Sequence, residues 1–148
     1  MKAAIEEAPM RKNYNGKGRR IKGRFLALPY DVLRSTAYKS LSPYAVKLLV
    51  DIGAQFNGSN NGDLNACFSE MKEVGWRSSA TLQRAKSELL SAGLIEQTRQ
   101  GGMNAGPNLY ALTWRRIDEC TDKYGNPKHD APPTTTGSGL WKHAPTQH

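Results

Sequence analysis

Apolar residues fall at helical spacing in two stretches of this chain and at strand spacing in a third. After Ser42-Pro43, the residues Ala45, Leu48, Leu49 and Ile52 recur every three or four positions and line one face of a helix. Ser42 can serve as N-cap and Pro43 fits the first helical position, so a helix is expected over 43–56. Upstream, F-L-A-L-P-Y-D-V-L predicts a shorter helical segment over 31–37, started by Pro29 and Asp31. Leu82, Ala85 and Leu89 repeat the helical stripe within 78–92, which Gly93 should close. A short helix over 68–74 precedes it, with a break at Gly75-Trp76. Residues 95–99 and 109–114 then read as two strands around a glycine-rich tip, 100–108.

The connecting and terminal segments read differently. In the loop 57–63, N-G-S-N-N-G-D, oxygen-bearing side chains alternate with glycine as in a calcium loop, but the bidentate Glu at the required spacing is missing. A turn feeding a short strand over 63–65 is the reading that follows. Residues 11–24 carry seven cations, three glycines and no acidic residue, and such a segment cannot bury enough apolar surface to fold alone. After Thr121, prolines, a threonine run and few aliphatics predict disorder. The expected organisation is a flexible basic arm (1–24), one folded domain (25–117) and a disordered tail (118–148).

Charge narrows the class of partner. Across 148 residues, 21 Lys and Arg stand against 13 Asp and Glu, giving a net charge of +8 and a pI near 9.7, as expected of a polyanion binder. No apolar run approaches a membrane span and residues 1–9 lack a secretory signal, so a cytoplasmic location without membrane contact is expected and nucleic acid is favoured over lipid. Cys67 and Cys120 stand alone, as reduced thiols do, and His129, His143 and His148 lack ligand spacing, so neither a metal nor another cofactor is expected. No nucleophile and base pair up, Gly16-Lys17-Gly18 lacks the P-loop spacing, and Asp118, Glu119 and Asp122 read as a surface cluster. The chain is not expected to be an enzyme.

Residues 79–95 read S-A-T-L-Q-R-A-K-S-E-L-L-S-A-G-L-I, followed by E-Q-T-R-Q-G-G-M-N-A-G-P-N-L-Y-A-L-T. In Ser79, Thr81, Leu82, Arg84, Leu89, Gly93, Leu94 and Ile95, this stretch resembles the recognition helix and wing of bacterial winged helix-turn-helix proteins of the prophage and mobile-element type. With the upstream L-S-P-Y-A-V-K-L-L and N-G-S-N-N-G-D-L, it is similar also to winged domains of plasmid replication initiators. The resemblance implies an α+β fold, a three-helix core plus a β-hairpin wing, and double-stranded DNA as partner.

Helical geometry assigns the roles. With Leu82, Ala85 and Leu89 on one face, Ala80, Gln83, Arg84 and Ser87 lie opposite as candidate base readers. The Arg84 fork matches guanine O6 and N7, and the Gln83 amide matches adenine N6 and N7. Arg77, Ser78, Ser79 and Thr81, at or just before the helix start, are candidate phosphate contacts. In the hairpin, Arg99, Gln100 and Asn104 are the corresponding backbone contacts, and Arg19, Arg20, Lys22 and Arg24 are those of the arm. Phe68, Trp76, Tyr110 and Trp114 are read as packing aromatics. The expected function is sequence-specific DNA binding by a transcriptional regulator of a phage or mobile element. The alternatives are a DNA-binding accessory in plasmid or phage replication, or an adaptor whose tail docks a protein partner through Trp141 in G-L-W-K; a homodimer is a further partner considered.

Overall fold

A computed structural model describes residues 23–143. Of the basic arm, Arg19, Arg20 and Lys22 lie outside the described residues, and Arg24 is exposed. The helix expected over 31–37 is two short ones, α1 (Tyr30–Leu33) and α2 (Thr36–Lys39). Ser35 divides them: its hydroxyl donates to Val32 O at 2.5 Å and accepts from Tyr38 N at 3.2 Å, capping α2. A side chain that bonds local backbone in this way competes with continuous helix.

Helix α3 (Pro43–Gly53) begins as expected, with Ser42 Oγ accepting from Ala45 N, but stops before Phe56. Next come α4 (Phe68–Met71), a 3-10 turn (Lys72–Val74) and α5 (Ser79–Ser91). Strands β1 (Ile95–Arg99) and β2 (Leu109–Leu112) form an antiparallel pair, in which Ile95 faces Leu112 and Gln97 faces Tyr110. The strand expected over 63–65 is a single bridge between Leu64 and Tyr110 on the outer edge of β2. The architecture is therefore α+β, a set of helices with a two-stranded antiparallel sheet.

The core lies where α3, α5 and the hairpin meet. Leu48, Leu49 and Ile52 of α3 join Leu82, Ala85 and Leu89 of α5 and Leu94, Ile95, Tyr110 and Leu112 beyond it. Truncating a buried leucine of this kind to alanine costs about 2–5 kcal/mol. Phe68 and Trp114 pack against the cluster and Trp76 belongs to it, as expected of packing aromatics. No helix among the described residues is long and apolar enough to cross a membrane.

The expectation of disorder from 118 onward is corrected through His143. Asn61, fully buried, holds the start of this segment to the hairpin. Its Nδ2 donates to Leu112 O, Arg115 O and Arg116 O, and its Oδ1 accepts from Leu112 N at 2.7 Å. Its backbone N–H donates to Asp118 Oδ2, and its carbonyl accepts from Asp118 N, each at 2.8 Å. Further along, Asp130 N and Ala131 N donate to Thr98 O, Ile117 N donates to Thr134 Oγ1, and Gly139 N donates to Thr113 O. The buried ring of His129 lies 2.9 Å from both Asp118 O and Ala131 O.

A final 3-10 turn (Leu140–His143) brings Trp141, considered above as an anchor for a protein partner, against the core cluster, where it is half-buried. Gly93 makes this approach possible: it sits at φ 74°, and a Cβ there would lie 2.7 Å from Leu140 O. Composition misjudged the segment because it counts aliphatic side chains. Residues 118–143 are held largely by backbone hydrogen bonds and one indole ring, which composition does not weigh.

Candidate nucleic-acid interface

Helix α5 is fixed from three directions. Its start is set by Gly75, which takes φ 104° after the 3-10 turn, and by Ser78, whose Oγ accepts from Thr81 N at 3.2 Å. Between them Trp76 is buried, and its Nε1 donates to Asp51 Oδ2 on α3 at 2.8 Å. Lys47 also reaches Asp51 Oδ2 and donates to Val74 O, each at 2.8 Å, so the turn is tied to α3 by both groups. Toward its C-terminal end, α5 is held by Glu88, whose two carboxylate oxygens accept from Ser42 N at 2.9 Å and Ser42 Oγ at 2.7 Å. A carboxylate bridging to the N-terminus of α3 opposes the positive end of that helix dipole and fixes the angle between the two helices. Along its inner face, Leu82, Ala85 and Leu89 are buried.

What this leaves outward is the expected face. Ala80, Gln83, Arg84 and Ser87 are all exposed, and they flank a groove of about 600 Å³ whose other wall is Ser40 and Leu41. Among the described residues Arg84 Nη2 reaches only Thr81 Oγ1, at 3.5 Å, so there the planar fork is largely uncommitted. Arg77, Ser78 and Ser79 are exposed and Thr81 is half-buried. A smaller hollow of about 190 Å³ at this end of the helix is lined by Arg77, Ser78 and Thr81, facing Tyr44 and Lys47. Base-edge candidates and phosphate candidates thus lie on one continuous side of α5.

The hairpin departs from expectation. Arg99 does not present its guanidinium outward: Nη2 donates to Pro107 O at 2.8 Å, Nη1 donates to Lys128 O at 3.1 Å, and Nε is buried without a partner among the described residues. Its charge braces the hairpin against the 118–143 segment. Gln100 and Asn104 are exposed, Asn104 at φ 66°. Beyond the strands, Arg115 lies over the Phe56 ring at 4.6 Å and Arg116 Nε pairs with Asp118 at 3.2 Å.

Burial displaces the ionisation of three groups, Lys86, Tyr110 and Cys120. Burial draws the Lys86 ammonium below the usual lysine range against a smaller opposing effect of Cys67, and Lys86 lies 6.0 Å from the centre of the Tyr110 ring. Burial pushes the Tyr110 hydroxyl up, partly offset by its bond from Asn108. Burial, with Asp63 and Asp118 adding to it and Lys128 opposing, pushes the Cys120 thiol up to about 11, so it stays protonated at neutral pH and is a poor nucleophile. Neither cysteine is in a disulfide.

Sequence reasoning missed Glu88, which ties α5 to the start of α3, and Asn61, which ties the hairpin to the residues after it. Glu88 falls between the inner and outer faces of α5, and nothing in its spacing points to Ser42, 46 residues away. Asn61 reads as one more turn former in an Asn- and Gly-rich loop. The described residues define a basic α+β chain whose longest helix turns a polar face outward beside a braced hairpin. Comparison with protein-family models, curated proteins and solved structures returns no match.

Proposed function

We propose that this protein binds double-stranded DNA as a winged helix-turn-helix module, α5 entering the major groove and the hairpin lying alongside as the wing. The observation that carries the reading is the pairing of a rigidly held helix with an uncommitted outer face: Glu88 and the buried leucines fix α5, while Gln83 and Arg84 point away from the protein. A helix of 13 residues spans about 20 Å, and the B-DNA major groove, about 12 Å wide, admits it. Arg84 then reads guanine and Gln83 adenine, with Ser87 and Ala80 contacting neighbouring base edges. Arg77, Ser78, Ser79 and Thr81 hold the phosphates beside the helix start. A net charge of +8 supplies the non-specific attraction.

Sequence-dependent binding by a chain without a catalytic step in this scheme fits a regulator of transcription in a phage or mobile element. An accessory role in replication would use the same face. The test is a gel-shift titration with duplexes selected from a randomised pool. If six or more phosphates are contacted, affinity should fall by about 10³–10⁵ between about 50 and 200 mM salt. Arg84→Ala should cost about 1–3 kcal/mol of discrimination at one base pair while changing non-specific binding little. Absence of duplex binding, or an Arg84→Ala variant that weakens every sequence equally, would remove base reading by α5.

A further inference from the structure

Met103 is the most exposed large apolar side chain among the described residues, at 92% of its full accessibility, and it sits at the tip of the hairpin. We propose that Met103 is a wedge that enters the minor groove and opens a step between stacked base pairs, kinking the duplex that α5 reads. The inference rests on the DNA-binding reading above and adds to it a specific contact and a change in DNA shape.

The construction of the tip is the first support. Gly102 N donates to Gly106 O at 3.1 Å, Ala105 N donates to Gly102 O at 3.0 Å, and Gly101 N donates to Asn108 Oδ1 at 2.6 Å. A Cβ on Gly101 would run into Gly106 O and Pro107, so the two arms of the tip approach as closely as backbone allows. Asn104 takes φ 66° immediately after Met103 and turns the chain back. Met103 is therefore held out by an ordered turn and cannot fold back onto the core, and presenting it to a partner costs little additional ordering.

The second support is what the tip lacks. From Gly101 to Pro107 there is no charged residue. Arg99, the nearest cation, is turned back onto Pro107 O and Lys128 O. A tip built to hold phosphate would put that arginine forward; this one puts forward a thioether. An unbranched, polarisable side chain slides between aromatic faces, and apolar wedges of this kind part base steps in minor-groove binding. The hairpin is also stiff enough to act as a lever, because Thr98, at the tip end of β1, donates to Gly62 O and accepts from Asp130 N and Ala131 N. The strand and turn residues between Ile95 and Met103 carry the tip on the order of 20 Å from the end of α5.

The test uses the full chain and a duplex recovered by selection, labelled at both ends for energy transfer, with an aminopurine placed in turn at each candidate step. The native chain should bend the duplex by about 20–90° and brighten the aminopurine at one step. Met103→Ala should abolish both signals and bind about tenfold more weakly, with α5 contacts retained; Met103→Leu should keep both. A duplex that stays straight and stacked under the native chain, or signals unchanged in Met103→Ala, would overturn the wedge while leaving DNA binding in place. Loss of self-association in Met103→Ala with unchanged bending would assign the tip to a second copy of the chain and overturn it too. If the native chain recovers no duplex from the pool, the DNA-binding reading fails and the wedge fails with it.

Discussion

The outer face of α5 and the junction around Asn61 are built from similar residues and do opposite things. Each is a patch of amides, hydroxyls and charge. On α5, Gln83, Arg84 and Ser87 are exposed, and the one bond Arg84 makes among the described residues is a 3.5 Å reach to Thr81. At the junction, Asn61, Thr98 and Asp118 are buried, and the Asn61 amide alone engages three carbonyls and one N–H. The lesson is that residue type does not separate a binding surface from a structural one; internal commitment does. A buried polar group deprived of its partners carries a desolvation penalty of about 1–3 kcal/mol, whereas an exposed one exchanges protein for water at little cost. Arg99 and Arg84 make the same point as a pair, since one arginine is used inside the hairpin and the other faces outward.

The contrast is broken most severely by removing the tail. A chain ended after Ile117 leaves Asn61 N–H and Thr98 O without their partners and uncovers the core beneath Trp141. It should lose most of the about 5–15 kcal/mol typical of a domain and unfold without a sharp transition in urea, followed by circular dichroism. A cooperative transition at the native midpoint would show that residues 118–143 are an appendage. Next in size is Asn61→Ala, which leaves Leu112 N unpaired and removes the donors to Leu112 O, Arg115 O and Arg116 O. It should cost about 3–5 kcal/mol, while Arg84→Ala costs under about 0.5 kcal/mol in the same measurement. Equal losses from the two substitutions would erase the distinction between the regions.

The sequence made the two regions unequally legible. The stripe of Leu82, Ala85 and Leu89 fixed which side of α5 is buried, so the exposure of Ala80, Gln83, Arg84 and Ser87 followed from a period of 3.6 residues. Caps at Ser42 and Ser78 and the hairpin from Ile95 were readable for the same reason, because local bonding decides them. Glu88, Asn61, Asp118 and Trp141 act on partners 46 to 57 positions away, or, for Trp141, across the chain onto the core. Periodicity carries no information about such pairs. The bonds of Arg99 were hidden for a related reason: nothing local to a cation beside glycines announces that the carbonyls of Pro107 and Lys128 lie around it.

The smallest expected effect lies near the start of the docked segment, where Asp122 closes a turn. Its Oδ1 accepts from Tyr124 N at 2.8 Å and Asn126 N at 2.9 Å. The backbone N–H of Asn126 first, then that of Tyr124, hold this carboxyl below the ordinary aspartate value, with slight burial opposing them. In the interval between the folded and unfolded values, the unfolded chain binds the proton and the folded chain does not, so stability rises with pH there. The contribution is complete above about pH 4 and is lost as the pH falls through the folded value. Asp122→Asn keeps an acceptor oxygen and removes the charge, so urea midpoints measured from neutral to acid pH should fall less steeply below pH 4 in the variant than in the native chain. Parallel curves would mean that this turn contributes nothing to the acid sensitivity of the docked segment, whereas Asn61→Ala should lower the whole curve at every pH.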